Sequence, residues 1–427
     1  MPIPTDDRDR RLLAWLGAGL LAGGMPTHEV EEDVASAARS LGHDRPQVAC
    51  LPRGLHVALT PGGPATVEAV EGPVRLDQLA DVSTVLAGIR SGRLAADDAL
   101  ERLGRLRAQP HRYALPGLVG GGVLSGAGIA MVLAPAWPSV AFSAALAPVT
   151  VALMTLGGRS RTISTLLPFL AAFVAALAAF ATAGADLVTA PLWTLIAPIA
   201  VLLPGATIVT GLVEVAAGSV VAGTARLAHG TVQLLLFALG VAAAAALLDV
   251  PAELLAPERP DELGWWGPLL GVVLVIVAIS LMESVRLSLV PWLMLTALAT
   301  YLAQLLGQGL AEQRWAGAFL GAMVAILVAT VVEFVRPQLP RSVAFLPSFW
   351  LLVPGSFGLV SVTQLESGPG AAFPAVVAVT LVIIAVATGV VVGAALASPL
   401  RGIARRVGLV HLLGLLRRRR DGGQPTA

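Results

Sequence analysis

The stretch VLLPGATIVTG at residues 201–211 returns in altered form as LLVPGSFGLVS at 351–361. Each Pro-Gly pair lies inside, or at the end of, an apolar run long enough to enter a bilayer. Proline cannot donate the helical hydrogen bond and glycine adds backbone freedom, so Pro204-Gly205 and Pro354-Gly355 are expected helix breaks. At lipid depth a break must be buried in protein or line a wet cavity, because its freed N–H and C=O groups find no water in hydrocarbon. Two such sites 150 positions apart, at 204 and 354, imply a duplicated membrane carrier with its solute handled at the interrupted segments.

Working outward from the breaks, apolar runs fall near 117–134, 138–156, 165–182, 187–203, 231–248, 265–282, 287–306, 315–335, 343–360 and 373–397. Ten spans of roughly 17 to 25 residues each match a hydrocarbon core. The fourth and ninth are the least regular, since each runs into a Pro-Gly break. The chain is 56% hydrophobic and 13% charged, which excludes a soluble enzyme of this length and fits a membrane protein with a soluble portion. Gly, Ala and small hydroxyl residues are abundant, as close helix approach in a membrane requires.

Charge sets the expected orientation. Every cationic side chain apart from histidine is arginine, because the chain has no lysine. With the N-terminal region in the cytoplasm, one side receives Arg159, Arg161, Arg226, Arg286, Arg336 and Arg341, then Arg401, Arg405, Arg406 and the Arg417–Arg420 tail. The opposite loops hold Arg259 and Arg314 against Asp186, Asp249, Glu253, Glu258, Asp261, Glu262 and Glu366. That asymmetry predicts an integral plasma (cytoplasmic) membrane protein with both termini cytoplasmic and an even number of crossings. The arginine tail suits anionic lipid better than nucleic acid. Ten spans divide at the acidic loop into two groups of five, and an odd number inverts the second group relative to the first.

The expected organisation is a soluble α+β domain over 1–112, a first transmembrane repeat over 113–248, an external acidic linker over 249–264, a second repeat over 265–400 and the cytoplasmic arginine-rich tail over 401–427. The fold class is thus a polytopic α-helical membrane protein with an inverted five-plus-five repeat. Within the first 112 residues, Arg8–Gly23 has amphipathic spacing and ends at Gly23-Gly24. Thr27 is placed to cap a second helix, with Glu31 and Glu32 in its early turns. Val48–Leu59 and Ala65–Val70 read as strands around Pro61-Gly62-Gly63, and Leu76–Ile89 and Leu94–Leu106 as two further helices. Leu12 to Gly24 follows arginines as a secretory signal would, but no small-residue cleavage site closes it.

The transport chemistry is expected around Thr207–Leu227, where Thr207, Thr210, Glu214, Ser219, Thr224 and Arg226 interrupt an apolar sequence. Thr207, Thr210 and Glu214 are spaced to share one helical face. A small zwitterion needs an anionic or carbonyl partner for its amine and a helix start or arginine for its carboxylate; an unwound helix supplies free backbone groups at both ends. The matching segment offers Ser356, Ser361, Thr363 and Gln364 beside Pro354 and Gly355. Each polar residue has a plainer reading. Glu214 serves substrate or proton coupling, or else an interfacial salt bridge. Arg226 binds cargo or only enforces orientation, and the hydroxyls contact cargo or bond neighbouring carbonyls. Glu283, bracketing a turn with Arg286, and Glu333 near the end of the eighth span are the other coupling candidates.

Enzyme signatures are absent from the sequence: it has no HExxH, GxSxG or GxxxxGK[ST] pattern. His28, His43, His56 and His111 read as caps, turn residues or surface groups, and the single cysteine, Cys50, excludes an internal disulfide framework. No metal or organic cofactor is expected, only a proton gradient.

Three segments, GGMPTHEVEE at 23–32, LPGATIVTGLVEVAAGSVVAGTARL at 203–227 and LVPGSFGLVSV at 352–362, taken in this order, resemble the threonine/serine exporter family over about residues 10–400. The resemblance implies a cytoplasmic N-terminal domain, ten transmembrane helices and proton-driven export of L-threonine, L-serine or a similar small polar amino acid. Pro204, Gly205 and Thr207 match the first motif, and Pro354, Gly355 and Ser356 resemble its second-half counterpart. Relatives that move short dicarboxylates keep an organic-acid exporter open as an alternative, and a membrane sensor with a ligand-binding cytoplasmic domain is another. The expected partners are the lipid bilayer and a small amino acid or organic acid, with a homo-oligomer compatible with the sequence and no nucleic acid.

Overall fold

The computed structural model of the protein describes residues 5–185, 187–188, 190–251, 254, 260–336, 339–352 and 369–407. The N-terminal region comprises α1 (Thr5–Ala22), α2 (Thr27–Ser40), β1 (Gln47–Leu51), β2 (Gly54–Ala58), β3 (Ala65–Ala69), α3 (Leu76–Arg90) and α4 (Ala96–Arg107). Helix α1 is its core: Leu12, Leu13, Leu16 and Leu20 are wholly buried, and α2, α3, α4 and the sheet all pack around it. The sheet is an antiparallel meander in the order β1-β2-β3, pairing Cys50 with Leu55 and Leu55 with Glu68. The expected strand over Val48–Leu59 is two strands, because the chain reverses at Pro52-Arg53. Gly17 lets α1 sit directly on β2, where a Cβ would collide with Leu55.

Beyond Tyr113 the chain is almost all helix: α5 (Ala114–Leu133), α6 (Trp137–Gly157), α7 (Arg161–Ala183), α8 (Pro191–Ile199), a 3-10 turn (Ala200–Leu202), α9 (Gly205–Ala216), α10 (Val220–Leu247), α11 (Trp266–Met282), α12 (Val290–Ala311), α13 (Arg314–Val335), α14 (Arg341–Leu352) and α15 (Pro369–Val407). Among the described residues seven helices are long and apolar enough to cross a membrane, and eight spans result when the bent pair α8–α9 counts as one. The protein is an integral membrane protein of the polytopic helical type. Several helices differ from the sequence expectation. The fourth run is helical from Pro191 to Leu202 and stops at the expected break, and α11 and α14 are shorter apolar helices. Helix α10 starts at Val220, well before the expected 231, so the hydroxyl-bearing stretch after Pro204 is helical on both sides of a short turn.

The N-terminal region covers one face of the helical bundle, called here the proximal face. The His111 ring nitrogen Nε2 lies 2.8 Å from the Met282 carbonyl, and the Tyr113 hydroxyl donates to the Val285 carbonyl at 2.9 Å. These contacts bring the start of α5 and the end of α11 to the same face. The two helices run antiparallel: Gly121 approaches Ala278 and Met282, whereas Gly128 approaches Gly271. The Gly128–Gly271 approach is reciprocal, each missing Cβ lying against the other's carbonyl oxygen, so bare backbones meet where the two halves join.

Matching positions recur in both halves. A Cβ on Gly240 of α10 would strike the Phe169 carbonyl, the Ala172 Cβ and the Phe173 nitrogen of α7. A Cβ on Gly389 of α15 would strike the Phe319 carbonyl, the Ala322 Cβ and the Met323 nitrogen of α13. On the distal face Trp137, Trp265, Trp266 and Trp315 are exposed, as aromatic rings at a membrane–water boundary are. There the Glu262 and Leu263 amides donate to the Pro135 carbonyl, joining the two halves.

Candidate functional site

Helix α8 is buried along its whole length. Pro198 lies inside it, and the helix tightens into the 3-10 turn at Ala200–Leu202. Leu203 is extended, with φ −67 and ψ 135, as the residue before a proline must be. Pro204 then stands at the N-cap of α9, whose first bond runs from the Ile208 amide to the Pro204 carbonyl. The two helices meet at 63°. From Pro191 to Leu202 the chain rises about 18 Å, well short of a ~30 Å hydrocarbon core. Neither α8 nor α9 is long enough to cross alone, and the break between them lies ten residues before Glu214, which meets Thr27 of the N-terminal region. The carbonyl end of α8 and the amide end of α9 both open onto it.

Thr207 and Thr210 are half-buried on α9, one turn apart. Among the described residues neither hydroxyl is hydrogen bonded. Thr224, Thr296, Thr300 and Thr330, in contrast, all bond the carbonyl four residues earlier. The kink-stabilising alternative for Thr207 and Thr210 is thus not seen. Beside α8 lies a set of buried hydroxyls that the sequence reading missed. Thr194 Oγ1 is 2.8 Å from Ser139 Oγ, and Ser143 donates to the Thr194 carbonyl at 3.4 Å. A threonine inside the nine-residue apolar helix PLWTLIAPI was the available signal.

Helices α9 and α10 form a tight hairpin around Gly218, at φ +91. Gly211 and Gly223 face each other so closely that a Cβ on either would press on the other's carbonyl. That approach sets Glu214 opposite Arg226, with Nε 3.0 Å from Oε2. The Nε–H does not point at the oxygen, so both atoms lack a hydrogen-bond partner and the contact is a Coulombic pair. Glu214 is fully buried, and its other oxygen accepts the Thr27 backbone N–H at 2.8 Å. Thr27 is thus the first residue of α2 rather than its cap; Pro26 holds the N-cap, and the Thr27 hydroxyl is buried without a partner.

Glu283 repeats the arrangement at the end of α11. Its Oε2 accepts the Leu76 N–H, the first amide of α3, at 3.1 Å. Burial raises the Glu283 carboxyl above the ordinary range, opposed by that Leu76 N–H. The expected Glu283–Arg286 pair does not form, because Arg286 reaches Asp81 instead, at 2.8 Å. Glu333, near the end of α13, lines a cavity of about 280 Å³ with Glu29, Glu32, Asp33, Arg90 and Arg341. Across that cavity Arg341 holds Glu29 at 2.7 Å and Arg90 holds Asp33 at 2.9 Å. In the second half, Ser348 on α14 is fully buried with its hydroxyl unpartnered. Pro354, Gly355, Ser356, Ser361, Thr363 and Gln364 lie outside the described residues. Among the described residues no cluster of three His, Cys, Asp or Glu side chains has the geometry to hold a metal.

The ThrE family model, described as "Putative threonine/serine exporter", matches residues 11–248. The chain belongs to this family. The match takes in α1 through α10, so both Thr27 and Glu214, on opposite sides of the junction, fall inside it. No curated protein and no solved structure matches the chain.

Proposed function

We propose that this protein is a secondary carrier that exports L-threonine, L-serine or a similar small polar amino acid by proton antiport across the cytoplasmic membrane. The observation that carries the reading is the 63° break at Pro204-Gly205, inside the segment matched by the family, with two unbonded threonine hydroxyls on its far side. A zwitterion placed there meets α8 carbonyls with its amine and the α9 amide end, with Thr207 and Thr210, through its carboxylate and hydroxyl. The corresponding substrate role in the second half is proposed for Pro354, Gly355, Ser356, Ser361, Thr363 and Gln364, and Arg226 faces Glu214 at 3.0 Å. Of the three carboxylates proposed for coupling, Glu214 stands on the broken helix itself, while Glu283 and Glu333 lie at helix ends.

The architecture proposed is ten crossing segments in an inverted five-plus-five repeat, with the N-terminal α+β domain and both termini in the cytoplasm. It is supported by antiparallel α5 and α11 and by the contacts of Gly240 and Gly389, which repeat residue for residue at an offset of 149 to 150. Proximal Arg226, Arg286 and Arg341 support the orientation. The test is flux in proteoliposomes under an imposed proton gradient, with serine, threonine and succinate as cargoes. Serine and threonine are expected to move and succinate to be excluded. If only succinate moves, the organic-acid reading replaces this one; if nothing moves while vesicles and fold are intact, the carrier reading fails.

A further inference from the structure

We infer that the first turn of α2 is a staple joining α9 of the first half to α14 of the second, and that it must detach before the proximal face opens. Thr27 and Glu29 are two residues apart on that turn. The Thr27 amide is held by Glu214, on the helix that follows Pro204-Gly205. The Glu29 carboxylate is held by Arg341, the first residue of α14. The same turn therefore grips α9 from one half and α14 from the other. Those helices also touch each other, through Val209 and Val213 against Phe349 and Leu352.

The chemistry of the grip is specific. The first amides of a helix have no partner within it. Pro26, at the N-cap of α2, has no side-chain acceptor to offer, so the cap comes from a carboxylate 187 positions away. A carboxylate there also complements the positive end of the helix dipole. Helix α3 is secured in the same way by Glu283, with Arg286–Asp81 beside it. The N-terminal region is thus fastened to the first half through α2 and to the second through both α2 and α3. Separating α9 from α14 strips either the Thr27 amide from Glu214 or Glu29 from Arg341, and both contacts are largely shielded from water. A carrier that opens toward the proximal face must break one arm and make it again in each cycle.

The inference rests on the carrier reading only for the purpose of the opening, so its test uses no cargo. In the full-length chain carrying C50S and S348C, reconstituted in nanodiscs, maleimide is applied and the labelling rate of position 348 is followed. In the parent the site is enclosed and labelling is slow. E29Q is expected to raise the rate about three- to fivefold, the scale of losing one partly exposed charge pair. R341Q cuts the same arm from α14 and is expected to match it, and the exchanged pair E29R/R341E is expected to return the rate toward the parent. Unchanged labelling in E29Q and R341Q, with or without a lower melting temperature, overturns the staple and leaves a permanent glue. If wild-type proteoliposomes move no amino acid while the labelling responds as expected, the assigned cargo fails and the staple stands.

Discussion

Glu214 takes the ion-pair role that the sequence offered it and adds one that the sequence did not suggest, a cap on α2. Its pairing with Arg226 is the structural salt bridge, yet its second oxygen serves a segment almost two hundred residues upstream. Replacing it with glutamine keeps an acceptor for the Thr27 amide and removes the exchangeable charge. E214Q is therefore expected to assemble, with a lower melting temperature because Arg226 loses its partner charge, while losing gradient-driven flux; flux with the parent's pH dependence would remove Glu214 from the coupling role. At this scale the sequence was informative about residue identity and poor on partners. Thr207, Thr210, Glu214 and Arg226 were legible because polar side chains inside an apolar run carry a cost that needs a reason. The true partner of Thr27 was not, because a cap is ordinarily sought within a few residues. The Arg286–Asp81 pair escaped for the same reason, a nearer carboxylate being the obvious guess.

Helix packing follows from where side chains are missing. Gly240 and Gly389 each rest on backbone atoms of the neighbouring helix, which cannot rotate away. G240A and G389A are each expected to destabilise by about 1–3 kcal/mol through overpacking. G120A and G309A, whose added methyl groups meet open space, are expected to be neutral or slightly stabilising. Thermal melting in one detergent compares all four; a harmless G389A beside a damaging G240A would break the equivalence of the halves. The apolar runs located the helices in the sequence because the hydrophobic signal is local. It did not give the length of α10, whose first turns pack on α9 through Gly223, nor the 63° angle between α8 and α9, although the break itself was legible at Pro204-Gly205.

Across the whole molecule, the seam between the N-terminal region and the helical bundle is rich in charge. Burial raises the Asp33 carboxyl above the ordinary range, with Arg90 opposing, and burial raises Asp81 likewise against Arg286. A carboxyl whose folded value is raised binds more protons folded than unfolded, so stability is lost as pH rises through the interval above the ordinary value of 3.8. The melting temperature of the protein is expected to fall as pH climbs through that interval, and the D33N/D81N double variant is expected to flatten the slope. An equal slope in both proteins would place the titrating groups elsewhere. The two Pro-Gly pairs of the sequence prompt the proposed duplication, whereas the attachment of the N-terminal region to both halves of the bundle needed three dimensions. One consequence follows from the meeting of Gly128 and Gly271. The backbones touch at one point, and the Met131, Val132, Leu274 and Val275 side chains close around it. Any tilt of one half on the other has to move those four side chains, so they, with the two glycines, set the crossing angle.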